Sequence, residues 1–163
     1  MSRIMKAIVG LVAIVGLSSP AGAQGVLTQK NVSLGLAQTI AQAAFEQCQS
    51  MGFKVAVAVV DRGGQMIVLL RGDGAGLHTP EGAERKAFTA RTFSQPSADF
   101  VKRLVDRPDT VGSRFYTRVL ALGGGLPIKV GTEVIGAVGV SGSPGKDDVC
   151  SQAGIDKVAA QLK

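Results

Sequence analysis

The sequence predicts an α/β-class (α+β) fold, a mainly antiparallel five-stranded sheet with helices packed on it. Three observations lead there. The apolar pattern runs in the order helix, hairpin, two helices, three strands, helix. Short turns at Gly63-Gly64 and Gly131-Thr132 join neighbouring strands, and such hairpin connections make antiparallel pairs. No repeat or linker interrupts the chain, whose length fits one domain.

Residues 1–23 read as a cleaved secretory signal ahead of a single domain over residues 24–163. Arg3 and Lys6 give a basic start, residues 7–17 are an unbroken apolar and glycine run, and Ala21-Gly22-Ala23 suits a signal peptidase. The run is too short for the ~20 residues that span a bilayer as a helix. The alternative is an uncleaved anchor. A cleaved signal implies a periplasmic or secreted protein with no stable membrane insertion afterwards. Removing Arg3 and Lys6 leaves 16 basic against 12 acidic side chains, so the formal charge falls from +6 to about +4. The basic residues are scattered and aromatics are few, which excludes a nucleic-acid footprint. The two cysteines, Cys48 and Cys150, lie beyond the signal, and an oxidising compartment permits a disulfide between them. The alternative is two buried thiols on helices that never meet.

The elements follow in order. After a short entry segment at 26–30, a helix is predicted over about 28–50. Leu36, Ile40, Ala44 and Cys48 recur every four residues beside Ala37 and Ala41, with Gln38, Gln42 and Gln49 off the stripe, and Gly52 stops it. Residues 55–60 and 66–70 are two apolar strands around a turn that Asp61 suits. They barely alternate, so helices or another subunit should cover both sheet faces there. Residues 71–79 form a glycine-rich loop. Thr79 is the expected N-cap and Pro80 fits the first turn of a helix that runs to about 93. Ala83, Ala87 and Ala90 give that helix a small-residue face. A short helix over 97–105 is closed by Arg107-Pro108. Residues 119–122, 126–130 and 134–140 are the remaining predicted strands. Gly123–Gly125 is a turn or a close backbone approach, and Gly136 and Gly139 inside the last strand imply that something packs tightly on it. An amphipathic helix over 147–162 starts with acids, where the helix dipole favours them.

Several of these segments resemble the GlcG/HbpS family, also called haem-degrading or DUF336 domains. Val57-Ala58-Val59-Val60-Asp61-Arg62-Gly63-Gly64 and Arg71-Gly72-Asp73-Gly74-Ala75 resemble its hairpin and loop. Lys86-Ala87-Phe88-Thr89-Ala90 is similar to its K-A-x-T-A helix, and Gly124-Gly125-Leu126-Pro127-Ile128 to its glycine–proline segment. Residues 134–142 and 147–154 resemble its last strand and helix. The resemblance covers nearly the whole domain, in order. It implies a profilin-like fold with the N- and C-terminal helices adjacent, which would make Cys48 and Cys150 partners. It also implies a homo-oligomer, from dimer to octamer, and haem or iron as ligand.

Candidate residues follow from chemistry and resemblance together. Glu81 and Glu84 form an E-x-x-E whose carboxylates share one helix face and can reach one cation. The exported haem-binding branch of the family is expected to hold iron at this motif. The plainer alternative is two acids placed by the helix dipole. His78, the sole histidine, is a haem-ligand candidate, and Tyr116, the sole tyrosine, is the next. Met51 and Met66 read as core. Arg71 can fork onto a haem propionate or pair with Asp73 to fix its loop. Lys86 reads as a surface or interface residue. Gly123–Gly125 can cradle an anion with its amides, but it lacks nucleotide-binding spacing. With one histidine and two cysteines that can pair, no spacing in the sequence points to a hydrolytic triad.

The reading that follows is an exported haem-binding protein, with haem in an apolar cleft near residues 78–84. Family resemblance also admits an oxidative haem-degrading enzyme, an accessory protein of a periplasmic oxidation pathway, or an oligomeric module binding a small acid or corrinoid. Protein recovered from the periplasm or medium should begin near Gln24 by intact-mass spectrometry. A mass that includes residues 1–23 would mean an uncleaved anchor.

Overall fold

The computed structural model describes residues 25–163. The signal expected at 1–23 lies outside the described residues. The elements are α1 (Leu34–Ser50), β1 (Ala56–Val60), β2 (Met66–Arg71), α2 (Thr79–Phe93), α3 (Ser97–Asp106), a 3-10 segment (Pro108–Phe115), β3 (Gly125–Val130), β4 (Glu133–Ser141), α4 (Asp147–Lys157) and a short 3-10 turn (Ala159–Gln161). The strands form one antiparallel sheet in the order β2-β1-β4-β3. Helices α1 and α4 cover one face, and α2 with α3 lies on the other.

Helix α1 starts later than its pattern implied. Ser33 is the N-cap, and its hydroxyl accepts the Leu36 amide at 3.2 Å. Asn31 holds the preceding segment down by accepting the amides of Val32 and Arg62, both at 2.9 Å. The stripe Ala37, Ile40, Ala41, Ala44 and Cys48 is fully buried. It packs on Val57, Val59, Val138 and Val140 of the sheet. Cys48 and Cys150 are disulfide-bonded with their Cα atoms 5.6 Å apart, tying α1 to its neighbour α4.

The β1–β2 hairpin turns as expected. Asp61 donates its amide to the Gln65 carbonyl and accepts the Gln65 amide on its carboxylate, each at 2.8 Å. Gly64 takes a left-handed φ of 77°. Strand β1 is buried on both faces because it lies between β2 and β4, beneath α1 and α2. Strand β2 departs from the expectation that both faces are covered. It is an edge strand, and Met66 and Leu69 are 46% and 39% exposed on the α2 side.

Three expectations are corrected. Residues 119–122 are not a strand, so the sheet has four strands rather than five. Helix α2 has taken their backbone groups: Arg85 donates to the Val119 carbonyl at 2.8 Å, and the Thr89 hydroxyl accepts the Leu120 amide at 2.9 Å. Thr79 is not the N-cap of α2. It is the first helical residue after His78, and its hydroxyl donates to the Gly76 carbonyl at 2.8 Å. Helix α4 ends at Lys157, and the chain tightens into the 3-10 turn before Leu162.

Helix α2 rests directly on the sheet. A Cβ on Gly139 would lie 2.2 Å from the Ala83 carbonyl oxygen, and one on Gly125 would lie 2.1 Å from that of Lys86. Both obstacles are backbone, so neither can swing aside. Gly139→Ala should therefore destabilise the fold by about 3 kcal/mol, the upper end of ordinary overpacking. A urea midpoint unchanged from the parent would show that the helix can lift at no cost.

Candidate functional site

The predicted site residues do not converge. They are spread along α2 and the loops at its two ends. His78 caps the start of α2, and the helix's 15 residues carry the chain about 22 Å to Phe93 at 1.5 Å per residue.

At the start of α2, the exposed His78 borders a hollow of about 430 Å³ shared with Lys86, Ser141, Asp147 and Asp148. Leu122, Pro144 and three glycines line it together with the charged groups, so the hollow bordering residues 78–86 is of mixed polar and apolar character. Lys86 is not a surface residue: its side chain is 5% exposed. Its ammonium donates to Asp147 Oδ2 at 2.7 Å and to the Val140 carbonyl at 3.1 Å. Asp147 Oδ1 accepts the amide and the hydroxyl of Ser143, at 2.9 and 2.6 Å. The Ser143 oxygen sits 3.1 Å from Cys48 Sγ, so the lysine is linked through side chains to the disulfide. The glycine run beside it is a close backbone approach rather than an anion cradle. Its Gly124 amide donates to Asp148 Oδ1 and its Gly125 amide to Ser97 Oγ, both at 2.8 Å.

On the exposed side of α2, Glu81 pairs with Arg85 at 2.9 Å and Glu84 with Arg118 at 2.8 Å. Arg118 has a left-handed φ of 70°, rare for a residue with a side chain. It is held there by Glu84, by the Gly64 carbonyl at 2.8 Å, and by stacking over Phe88 at 4.2 Å. Each carboxylate of the E-x-x-E thus faces a guanidinium. Among the described residues, no three or more His, Cys, Asp or Glu gather as a metal cluster.

Arg71 lies apart, at the end of β2. It fixes its loop by donating to the Ala75 carbonyl at 3.0 Å. Among the described residues it makes no ion pair with Asp73.

At the far end of α2, Tyr116 is 63% exposed at the lip of a crevice of about 550 Å³. Phe93, Arg103, Arg107, Asp109 and Ser113 also line it. Phe93 stacks on Phe100 with centroids 4.3 Å apart, and Arg103 lies over both rings at 4.6 and 5.0 Å. Arg103 Nε is buried with no hydrogen-bond partner. Arg107 grips Asp109 through two hydrogen bonds at 3.1 and 3.0 Å, and this guanidinium holds the Asp109 carboxyl below the usual carboxylate range. The crevice combines aromatic walls, two guanidinium groups and a phenol.

This arrangement belongs to a known class of domain. Residues 32–156 match the family described as haem degrading protein HbpS-like. The chain belongs to that family. The HbpS-like chain is 33% identical to Protein GlcG of Escherichia coli K12 over 116 residues, 70% of this chain and 84% of GlcG. Among solved structures, it resembles a Streptomyces reticuli HbpS in which two glutamates are replaced by aspartate. That match has a TM-score of 0.75 and 33% identity, and it covers 93% of this chain and 97% of the other. It also resembles a complex of PduOC with haem, with a TM-score of 0.70 and 27% identity over 77% of this chain and 94% of that one.

Sequence reasoning missed the Lys86–Asp147 pair in this HbpS-like chain. One signal was available: Lys86 lies on the same face of α2 as Ala83, Ala87 and Ala90, and those alanines mark the side against the sheet. Removing one partner of a buried pair strands the other charge. Lys86→Met should cost about 3–5 kcal/mol in urea unfolding, and Lys86→Met with Asp147→Leu should recover part of that loss. A single variant as stable as the parent would mean that water reaches Asp147 freely.

Proposed function

We propose that this chain is an exported haem-binding protein, acting in haem capture, transport or protection, and that haem lies in the crevice beside Tyr116. The observation that carries this reading is the lining of that crevice. Phe93 offers a flat apolar face for a porphyrin. The Arg103 guanidinium, which borders the crevice, offers a charged donor for a propionate, while the fork of Arg107 is held by Asp109. A tyrosine phenolate is an established haem-iron ligand. The volume falls in the range of about 300–1,000 Å³ usual for cofactor sites. Bound haem would supply an iron centre with redox chemistry; the chain's own residues would hold the ring and shield one side of it. A relative solved with haem supports the reading. The disulfide supports an oxidising compartment, and so export. Exposed apolar side chains at Leu77 and Phe115 support self-association.

A second reading gives Glu81 and Glu84 to ferric iron. The solved HbpS variant supports it, because its two substituted glutamates are three positions apart, the spacing of Glu81 and Glu84. Here iron must displace Arg85 and Arg118 from the carboxylates. The family's description as haem degrading supports a further step in which bound haem is broken down.

Haem titration of the mature protein should give a saturable Soret shift, and Tyr116→Phe should weaken binding at least about tenfold, the scale of one lost ligand or charged hydrogen bond. Absence of a saturable shift in the parent rejects haem binding. A Tyr116→Phe titration identical to the parent's rejects the tyrosine. Loss of the Soret band under peroxide or reductant, with iron released, selects degradation over storage.

A further inference from the structure

We infer that two copies of this chain join antiparallel through strand β2, so that one sheet runs across the pair. The two edges of the sheet differ. At the β3 edge, Pro127 has no amide hydrogen and Lys129 is exposed, and both discourage a further strand. Strand β2 has no such device: Met66-Ile67-Val68-Leu69-Leu70 contains neither proline nor charge. An edge this apolar is a template for another strand.

The register shows which groups are open. The Gly72 amide donates to the Val55 carbonyl at 2.9 Å, one step past the Ala56–Arg71 pair. In an antiparallel ladder such hydrogen-bonded pairs alternate with unbonded ones. Leu70 and Val68 therefore bond inward to Val57 and Val59, while Leu69 and Arg71 aim their backbone groups away from the sheet. Among the described residues nothing bonds the Leu69 backbone. Its side chain, on the α2 side, is 39% exposed. Pairing Leu69 with its own copy about a two-fold axis satisfies both backbones and lays the two side chains together.

Helix α1 selects a second copy over an unrelated strand. It stands over β1 and β2. With strands about 4.8 Å apart, the axis brings the two α1 helices to about 10 Å, the spacing of packed helices. Between α1 and β2 lies a hollow of about 640 Å³, bordered by Thr39, Ala43, Val68 and Leu70, which the second copy closes. Opposite charges mark its two ends. Glu46 follows Phe45, whose ring packs on Gly72, so it stands at the Arg71 end of β2. Lys157 stands at the other end, because α4 runs antiparallel to α1: Cys150 meets Cys48, and Gly154 meets Ile40. Among the described residues neither charge has an ion pair. A two-fold axis at Leu69 sets Glu46 of each copy toward Lys157 of the other. The surface is complementary to itself, as an isologous interface requires.

Glu46 and Lys157 are both exposed, so reversing either charge spares the fold. Sedimentation of the mature protein at low salt should show an assembly of at least two copies. Glu46→Lys and Lys157→Glu should each weaken it at least about tenfold, since like charges then face each other twice. The first variant presents lysine at both ends of the hollow and the second presents glutamate, so each repels its own kind and attracts the other. An equimolar mixture should recover the parent's assembly, and so should the double variant. Hydrogen exchange locates the contact: the Leu69 amide should exchange slowly in the parent and at least about tenfold faster in either single variant. The inference is overturned if the parent is a monomer, if the single variants associate as the parent does, or if the mixture fails to recover assembly. Free exchange of the Leu69 amide in an assembled parent overturns it as well, and leaves β2 to a strand from another protein. None of these readouts involves haem, so a failed Soret titration leaves the inference standing.

Discussion

Helix α2 lies so close to strands β3 and β4 that backbone faces backbone between them. Glycine at 125 and 139 is what permits this, since a methyl group at either position would meet a carbonyl oxygen of the helix. Alanines at 83, 87 and 90 complete the contact from the helix side. The layer is thin, with little room for branched side chains, and its strength comes from close packing rather than from bulk. The opposite layer is built differently. There the valines of the sheet, Ile40 of α1 and the disulfide fill a conventional apolar core.

The same closeness forces a charge inward. Lys86 lies on the buried face of α2, where its stem has to run beneath the glycine segment. An ammonium in that position needs a partner, and Asp147 provides one from the first turn of α4. Ser143 then steadies Asp147 and touches the disulfide. A buried ion pair of this kind adds little net stability, because desolvation offsets most of the attraction. Its effect is on register: it links the two helical layers through one lysine and one aspartate. It also leaves the first turns of α2 and α4 bordering one hollow.

The two ends of α2 consequently differ in chemistry. The N-terminal end is lined by glycine loops, Leu122 and Pro144 around the Lys86–Asp147 pair. The C-terminal end has stacked aromatics and arginines, with Tyr116 on the segment that crosses the outside of the helix. That segment is fastened by Arg85 and Arg118, which also hold the carboxylates of Glu81 and Glu84. The acidic motif and the aromatic crevice therefore share a structural link, and a cation bound at the glutamates competes with the ties that place Tyr116.

Local pattern was enough to read most of the elements. The four-residue stripe of α1, the Gly-Gly hairpin and the glycines of β4 each report a local requirement: one face buried, a left-handed turn, or a close contact. The family was also legible, because its motifs keep their order along the chain. What local pattern misread was the apolar run at 119–122, since whether such a run joins a sheet depends on who takes its backbone hydrogen bonds. Side chains of α2, more than 30 positions away, took them. The site was less legible still. Residue types suggested His78, Tyr116, Arg71 and the two glutamates as one neighbourhood, and the helix holds them apart. Lys86 and Asp147 are 61 residues apart, and only the packing of α2 and α4 on opposite sides of one sheet brings them within 2.7 Å. Periodicity is a property of neighbours along the chain. Burial of a charge, and the partner it then requires, is a property of where whole elements come to rest.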